Sequence, residues 1–195
     1  MKTNVRYGNE PNKYNKAKPR KDIQDVYNIC QITKQVCIPF VCVGKNIQET
    51  LEKTISKMID GKCIIDGFVK PGSVKIITYS SGVLKGENII FDVVFSCFIC
   101  FPVAGMNMKC VARDITKAGI RAESADEMPS PFILFIARDH FYANPVFNSI
   151  KVGQIFTARV IAQRFELNDK YISIIAELTH NNKVKDATDE KEKEP

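Results

Sequence analysis

The chain has only two histidines and no run of eighteen apolar residues, and both shortages narrow what it can do. A helix needs about 20 mostly apolar residues to cross a bilayer, so no membrane-spanning helix and no membrane partner are expected. The first residues are polar and basic with no apolar stretch, which leaves out the pattern of a secretory signal. Neither GxGxxG nor GxxxxGK(S/T) occurs, so no loop of the kind that cradles phosphates is visible. GxSxG and HExxH are missing too, and with them two familiar hydrolase signatures. His140 and His180 both lie near irregular segments, which makes a histidine acid–base set hard to assemble. Asp126 and Glu127 are adjacent on a Pro-flanked loop and read as solvated carboxylates, not a catalytic pair. No catalytic residues and no cofactor are expected.

What the chain does have is an ordinary globular balance, 45% hydrophobic and 26% charged, so a buried core is expected from about Ile29 to Leu178. Its charge is unevenly placed. Residues 1–21 carry seven cations against one acid, Glu10, and this excess equals the +6 of the whole chain; the other 174 residues balance to zero. A nucleic-acid surface on the body must therefore be a local patch. The basic leader attracts phosphate weakly and without specificity, or merely solvates the chain.

Seven cysteines, an odd number, without a secretory signal suggest free thiols in a reducing compartment. Cys97-x-x-Cys100 could be half a zinc site, but no second CxxC occurs, and the pair sits in VVFSCFICF, which reads as a buried strand. Core cysteines are the better reading, with no metal.

Along the chain, residues 1–28 read as a basic disordered leader. Gln35 to Gly44 reads as a strand, and Pro39 suggests that it lies at a sheet edge. KNIQETLEKTISKMIDG predicts a helix, capped by Asn46 with Glu49 at capping-box spacing, presenting Ile47, Leu51, Ile55, Met58 and Ile59 on one face and ended by Gly61. Three strands follow: KCIIDGFV, SVKIITYS after the Lys70-Pro71-Gly72 turn, and Asn88 to Phe101. This strand–helix–three-strand unit, 29–102, forms one α+β domain.

From 103 to 180 the pattern changes to all-β, with no second convincing helix. Met106, Met108, Cys110 and Ala112 alternate with Asn107, Lys109, Val111 and Arg113. Ile120 and Ala122 face in, Arg121 and Glu123 out. Phe132, Leu134 and Ile136 share one face; Ile133, Phe135 and Ala137 the other. QIFTARVIAQRF and KYISIIAEL form a hairpin around Asn168-Asp169. Five strands, with the irregular RDHFYANP between the third and fourth, predict a five-stranded OB barrel. Residues 181–195 read as a charged disordered tail.

DITKAGIRAES, Asp114 to Ser124, places Lys117, Gly119 and Arg121 within a few residues of one another. It reads as the bend between the first two barrel strands, with Gly119 allowing the turn. An OB barrel offers its second and third strands to single-stranded nucleic acid, using cations for phosphates and aromatic faces for bases. The candidate RNA-binding set is Lys109, Arg113, Lys117, Arg121, Phe135 and Arg138. Taken singly, each cation also fits the ordinary role of solvating a surface.

Several stretches, in order, resemble the stalk subunit of multisubunit DNA-directed RNA polymerases, the seventh-subunit family with its archaeal relatives. They are LEKTISKMIDGKCIIDGFV, IIFDVVFSCFICFPVAGMNMKCVARDITKAGIRAES, PFILFIARDHF and VGQIFTARVIAQRFELNDKYISIIAEL. FPVAG is similar to the family's aromatic-Pro-x-x-Gly junction between tip domain and barrel. TYSSG, KAGIRAESADE and QRFELNDK resemble the versions carried by large cytoplasmic DNA viruses.

The resemblance implies an RNP-like tip domain docking on the polymerase core near the clamp. It also implies an OB barrel of the ribosomal S-one type meeting single-stranded nascent RNA, and a fourth-subunit-like partner. It implies a place in the host cytoplasm, in the viral factory, and in the virion, with the host nucleus left open. The chain has Ala118 and Arg121 where the S-one pattern often has aromatics, which shifts weight from stacking to charge. Two other readings stand beside this one. One is a stand-alone OB-fold RNA-binding protein of translation or RNA metabolism. The other is a metal-dependent nucleic-acid enzyme using the cysteines, which lacks a carboxylate or histidine cluster.

Overall fold

The computed structural model describes residues 25–140, 145–179 and 185–186. Most of the basic leader and most of the charged tail lie outside the described residues. The first half runs β1 (Asn28–Pro39), α1 (Ile47–Ile59), β2 (Cys63–Ile64), β3 (Gly67–Val69), β4 (Lys75–Tyr79), β5 (Val83–Lys85) and β6 (Asn88–Cys100). Long β6 is the spine of this sheet. On one side it pairs antiparallel with β1 along its length, from Asn28 opposite Ile99 to Pro39 opposite Asn88. On the other side it meets β5, β4 and β3 in turn, and β3 carries β2.

β1 is an edge strand, as Pro39 suggested, but it starts at Asn28 instead of Gln35 and stops at Pro39, where a short 3-10 turn over Phe40–Cys42 begins. Proline has no N–H to donate to a ladder, so the strand ends there. Just before it, Val26 and Tyr27 already pack on a core that includes the barrel, inside the stretch expected to be leader. KCIIDGFV is not one strand but the tight β2–β3 hairpin, and β5 is an additional strand. Gly86, at φ 63, makes the two-residue turn from β5 to β6, the Gly-first pattern that suits a hairpin.

α1 lies on one face of this sheet. Leu51, Ile55 and Ile59, four apart and so on one helical stripe, are buried against Val36, Phe91, Val93 and Phe95. Met58, expected on that face, is half exposed and overhangs a groove with Ile65 and Leu167. Asn46 does hold the N-cap position, but its side chain makes no capping bond. Glu49 instead accepts from Lys53 at 2.6 Å, and that ammonium holds its carboxyl below the ordinary range. Gly61, at φ 66, ends the helix as expected.

The second half runs β7 (Asn107–Ile115), β8 (Gly119–Ser124), β9 (Phe132–Ala137), α2 (Pro145–Ser149), β10 (Gln154–Arg164), β11 (Ile172–Leu178) and β12 (Lys185–Asp186). The strands run β11-β9-β8-β7-β10, and β10 pairs again with β11, so five strands close into a barrel. β9 and β11 are parallel; the other pairs are antiparallel. The expected alternation holds except at Val111, expected to face outward but buried beside Cys110 and Ala112: Met108, Cys110, Ala112, Ile120, Ala122, Leu134 and Ile136 are buried in one cluster with Phe156, Ile172 and Ile174. Two short elements were not expected. α2 occupies the link after β9 and buries Phe147, and Lys185–Asp186, in the charged tail, pair with Gln154 and Ile155.

The two sheets share a seam. Cys63, Phe68 and Cys100 from the first sheet belong to the barrel's core cluster. The Cys63 N–H donates to Asp169 O at 2.8 Å, and the Asn168 N–H donates to Cys63 O at 2.9 Å. Cys97 faces the α1 core while Cys100 faces the barrel, so the CxxC thiols diverge, as residues three apart on a strand must. Burial pushes Cys97 up to about 11 and Cys100 up to about 12, keeping both as thiols at neutral pH.

Candidate nucleic-acid interface

The β7–β8 turn is built by Thr116. Its N–H donates to Gly119 O at 2.9 Å and its Oγ1 accepts from the Gly119 N–H at 3.3 Å. This leaves Lys117 exposed at the turn. From there β8 carries Arg121 outward. A bulge at Arg113 places Asp114 opposite Arg121 on one side, and Phe135 of β9 lies opposite on the other. Ile175 of parallel β11 continues the row beyond Phe135. Phe135 is 36% exposed and Ile175 54% exposed, so a cation, an aromatic ring and an aliphatic side chain stand side by side on the outer wall.

Gly119 serves this row differently from the expectation. Its φ is not positive, so no sharp bend requires glycine. A Cβ there would run into the Ile136 carbonyl oxygen and come within 2.8 Å of Phe135 Cζ. Glycine is needed because the β9 backbone and the Phe135 ring press against it.

The six candidate residues do not form one surface. Lys117, Arg121 and Phe135 are together at the β7–β8 turn and the β8–β9 face. No ion pair among the described residues involves Lys117 or Arg121. Arg113 Nε donates to Glu123 Oε2 at 2.9 Å. Lys109 pairs with Asp126 at 3.2 Å and lines a pocket shared with Tyr27, Lys70 and Glu127. Arg138 is half-buried: its guanidinium donates to Thr116 O at 3.0 Å and sits 5.2 Å from the centre of the Phe147 ring. Arg138 thus ties α2 to the turn that presents Lys117.

Asp126 and Glu127 are not simply solvated. Glu127 accepts from Lys70 with both oxygens at 2.9 Å, joining the barrel to the first sheet. Lys70 also lies 4.9 Å from the centre of the Tyr27 ring. Burial, with Cys100 and Glu127 adding to it, raises the Tyr27 phenol well above its ordinary value. These contacts and Ile175 were missed from sequence. Ile175 follows the outward alternation of its strand, but nothing in the sequence places that strand parallel to β9.

Chemically, the row suits a stacked base over Phe135 with phosphates near Arg121 and Lys117, each stacked base being worth about 1–3 kcal/mol. Among the described residues no three His, Cys, Asp or Glu side chains group together as metal ligands would.

No family model matches the chain. Over 152 residues it is 27% identical to the "Putative DNA-directed RNA polymerase subunit" of Acanthamoeba polyphaga mimivirus, a similarity that covers 72% of this chain and 75% of the mimivirus protein. The chain is thus similar to a protein named as an RNA polymerase subunit of a large DNA virus.

Proposed function

We propose that this chain is the non-catalytic stalk subunit of a viral DNA-directed RNA polymerase. The first sheet docks on the core enzyme near the clamp, and the barrel, an OB fold of the S-one type, guides nascent single-stranded RNA. A fourth-subunit-like partner accompanies it, and it works in the host cytoplasm and is packaged in the virion. The observation that carries the reading is the 152-residue similarity to a polymerase subunit. The barrel supports the RNA role: five strands close it with the third and fifth parallel, and Arg121 and Phe135 share one outward row. The docking role is supported by apolar side chains left exposed at the end of the first sheet, namely Phe40, Val41, Val83 and Leu84.

A tagged full-length chain recovered from infected cells is expected to bring down the largest polymerase subunits in stoichiometric amount. Their absence, with RNA affinity intact, would favour a stand-alone RNA-binding protein. The RNA face has its own test. Combining Arg121→Ala with Phe135→Ala is expected to weaken binding of a short single-stranded RNA at low salt roughly tenfold or more. The melting temperature should change little, because both side chains are outside the core. Unchanged affinity in the double variant would count against this face.

A further inference from the structure

Cys30 of β1 and Cys97 of β6 are directly opposite one another in the antiparallel ladder. Opposed residues of such a ladder point to the same face, with Cα atoms about 4.5–5.5 Å apart, inside the 4.4–6.8 Å span that a disulfide bridges. Both side chains pack on the same cluster under α1, and both are free thiols. We propose that Cys30 and Cys97 are a reversible disulfide site, closed by a small disulfide oxidant such as oxidised glutathione.

The two thiols are suited to different steps. Cys30 is half-buried on the edge strand, whereas Cys97 is buried. Burial, then the neighbouring Cys30, Asp60 and Asp66, raise Cys97 to about 11, so Cys30 is the better first nucleophile. Its thiolate attacks one sulfur of oxidised glutathione, forming a mixed disulfide and expelling one glutathione thiolate. Cys97 then attacks the Cys30 sulfur and displaces the second glutathione. The two protons lost by the cysteines end on the two glutathione thiols. Two protein thiols are oxidised and one glutathione disulfide is reduced.

The site has a place in the architecture. Cys30 is three residues after Tyr27, which lies beside the Lys70–Glu127 pair at the seam. Closing the bridge fastens the first residues of the edge strand to the spine of its sheet, next to the contact between sheet and barrel. Other pairings are disfavoured. Cys63 and Cys100 both neighbour Phe68, on opposite sides, which puts them two strands apart, beyond bridging distance. Cys37 and Cys42 are exposed and serve as internal reporters of single-thiol capping.

The test is to incubate the purified full-length chain with oxidised glutathione, block free thiols with an alkylating agent, and map peptides by mass spectrometry. The expected result is a Cys30–Cys97 cross-link, glutathione on Cys37 and Cys42, and a melting temperature raised by several degrees, all reversed by a reductant. Cys97→Ser should leave glutathione on Cys30. Cys30→Ser, at the more exposed position, should leave Cys97 alkylated only after unfolding. The proposal is overturned if Cys30 and Cys97 stay unlinked while Cys37 and Cys42 are modified, or if Cys30 links elsewhere.

Discussion

Gly67→Ala is expected to destabilise the protein by about 3–5 kcal/mol, from backbone strain and overpacking together. Gly67 has φ 126, a conformation that side-chain-bearing residues rarely adopt. A Cβ there would also collide with the Cys100 carbonyl oxygen and approach Ile99 Cγ2 to 2.9 Å. Neither neighbour can yield cheaply, since both belong to the spine strand β6. Moving β3 away from β6 would loosen Phe68, which joins the first sheet to the barrel core. It would also disturb the paired bonds of Cys63 to Asn168 and Asp169. In a chain of this size the loss corresponds to a fall of roughly 10 °C in melting temperature. Gly86→Ala is the control. At φ 63 with open space around it, it carries only the left-handed backbone cost of about 1–2 kcal/mol. Equal melting temperatures for the two variants would show that the crowding at Gly67 is not what matters.

Gly119→Ala should cost about 3 kcal/mol, the upper end of the range for overpacking. Here the φ is unremarkable and the whole effect is steric, against Ile136 O and the Phe135 ring. The β8–β9 register, which sets Gly119 opposite Ala137 and Arg121 opposite Phe135, would have to give. This substitution should therefore lower both the melting temperature and single-stranded RNA affinity, whereas the Arg121 and Phe135 double variant lowers affinity alone. Thermal unfolding and RNA titration on the same preparations separate the two. A stable Gly119→Ala variant would mean that β9 can withdraw without cost.

The barrel was largely legible because its strands are buried on one side only. Phe132, Leu134 and Ile136 alternate cleanly with wetter residues, Met108, Cys110 and Ala112 do so apart from buried Val111, and a period of two survives in the sequence. The edge strand was harder to read at its start. From Asn28 to Gln35 no residue is fully buried, so its alternation of Ile29, Gln31 and Thr33 with Cys30 and Ile32 carried little contrast. The β2–β3 hairpin and β5 are two or three residues long, too short for any period to show. The exposed half of the candidate site came from local signals: alternation set Arg121 and Phe135 outward, and Lys117 fell in the turn before the second barrel strand. What Lys109, Arg113 and Arg138 bind depends on partners 10 to 22 residues away, which no local pattern encodes.

The parallel contact between β9 and β11 sets an order on synthesis. Every strand of the first sheet precedes Met106, so that sheet can assemble while the ribosome is still translating the barrel. The ring itself has no closing stave until Ile172 to Leu178 has emerged, because β11 joins β9 on one side and β10 on the other. In the interval Phe68 and Cys100 wait without the closed barrel they pack against, and the half-made molecule carries a greasy flank that only the fifth stave removes.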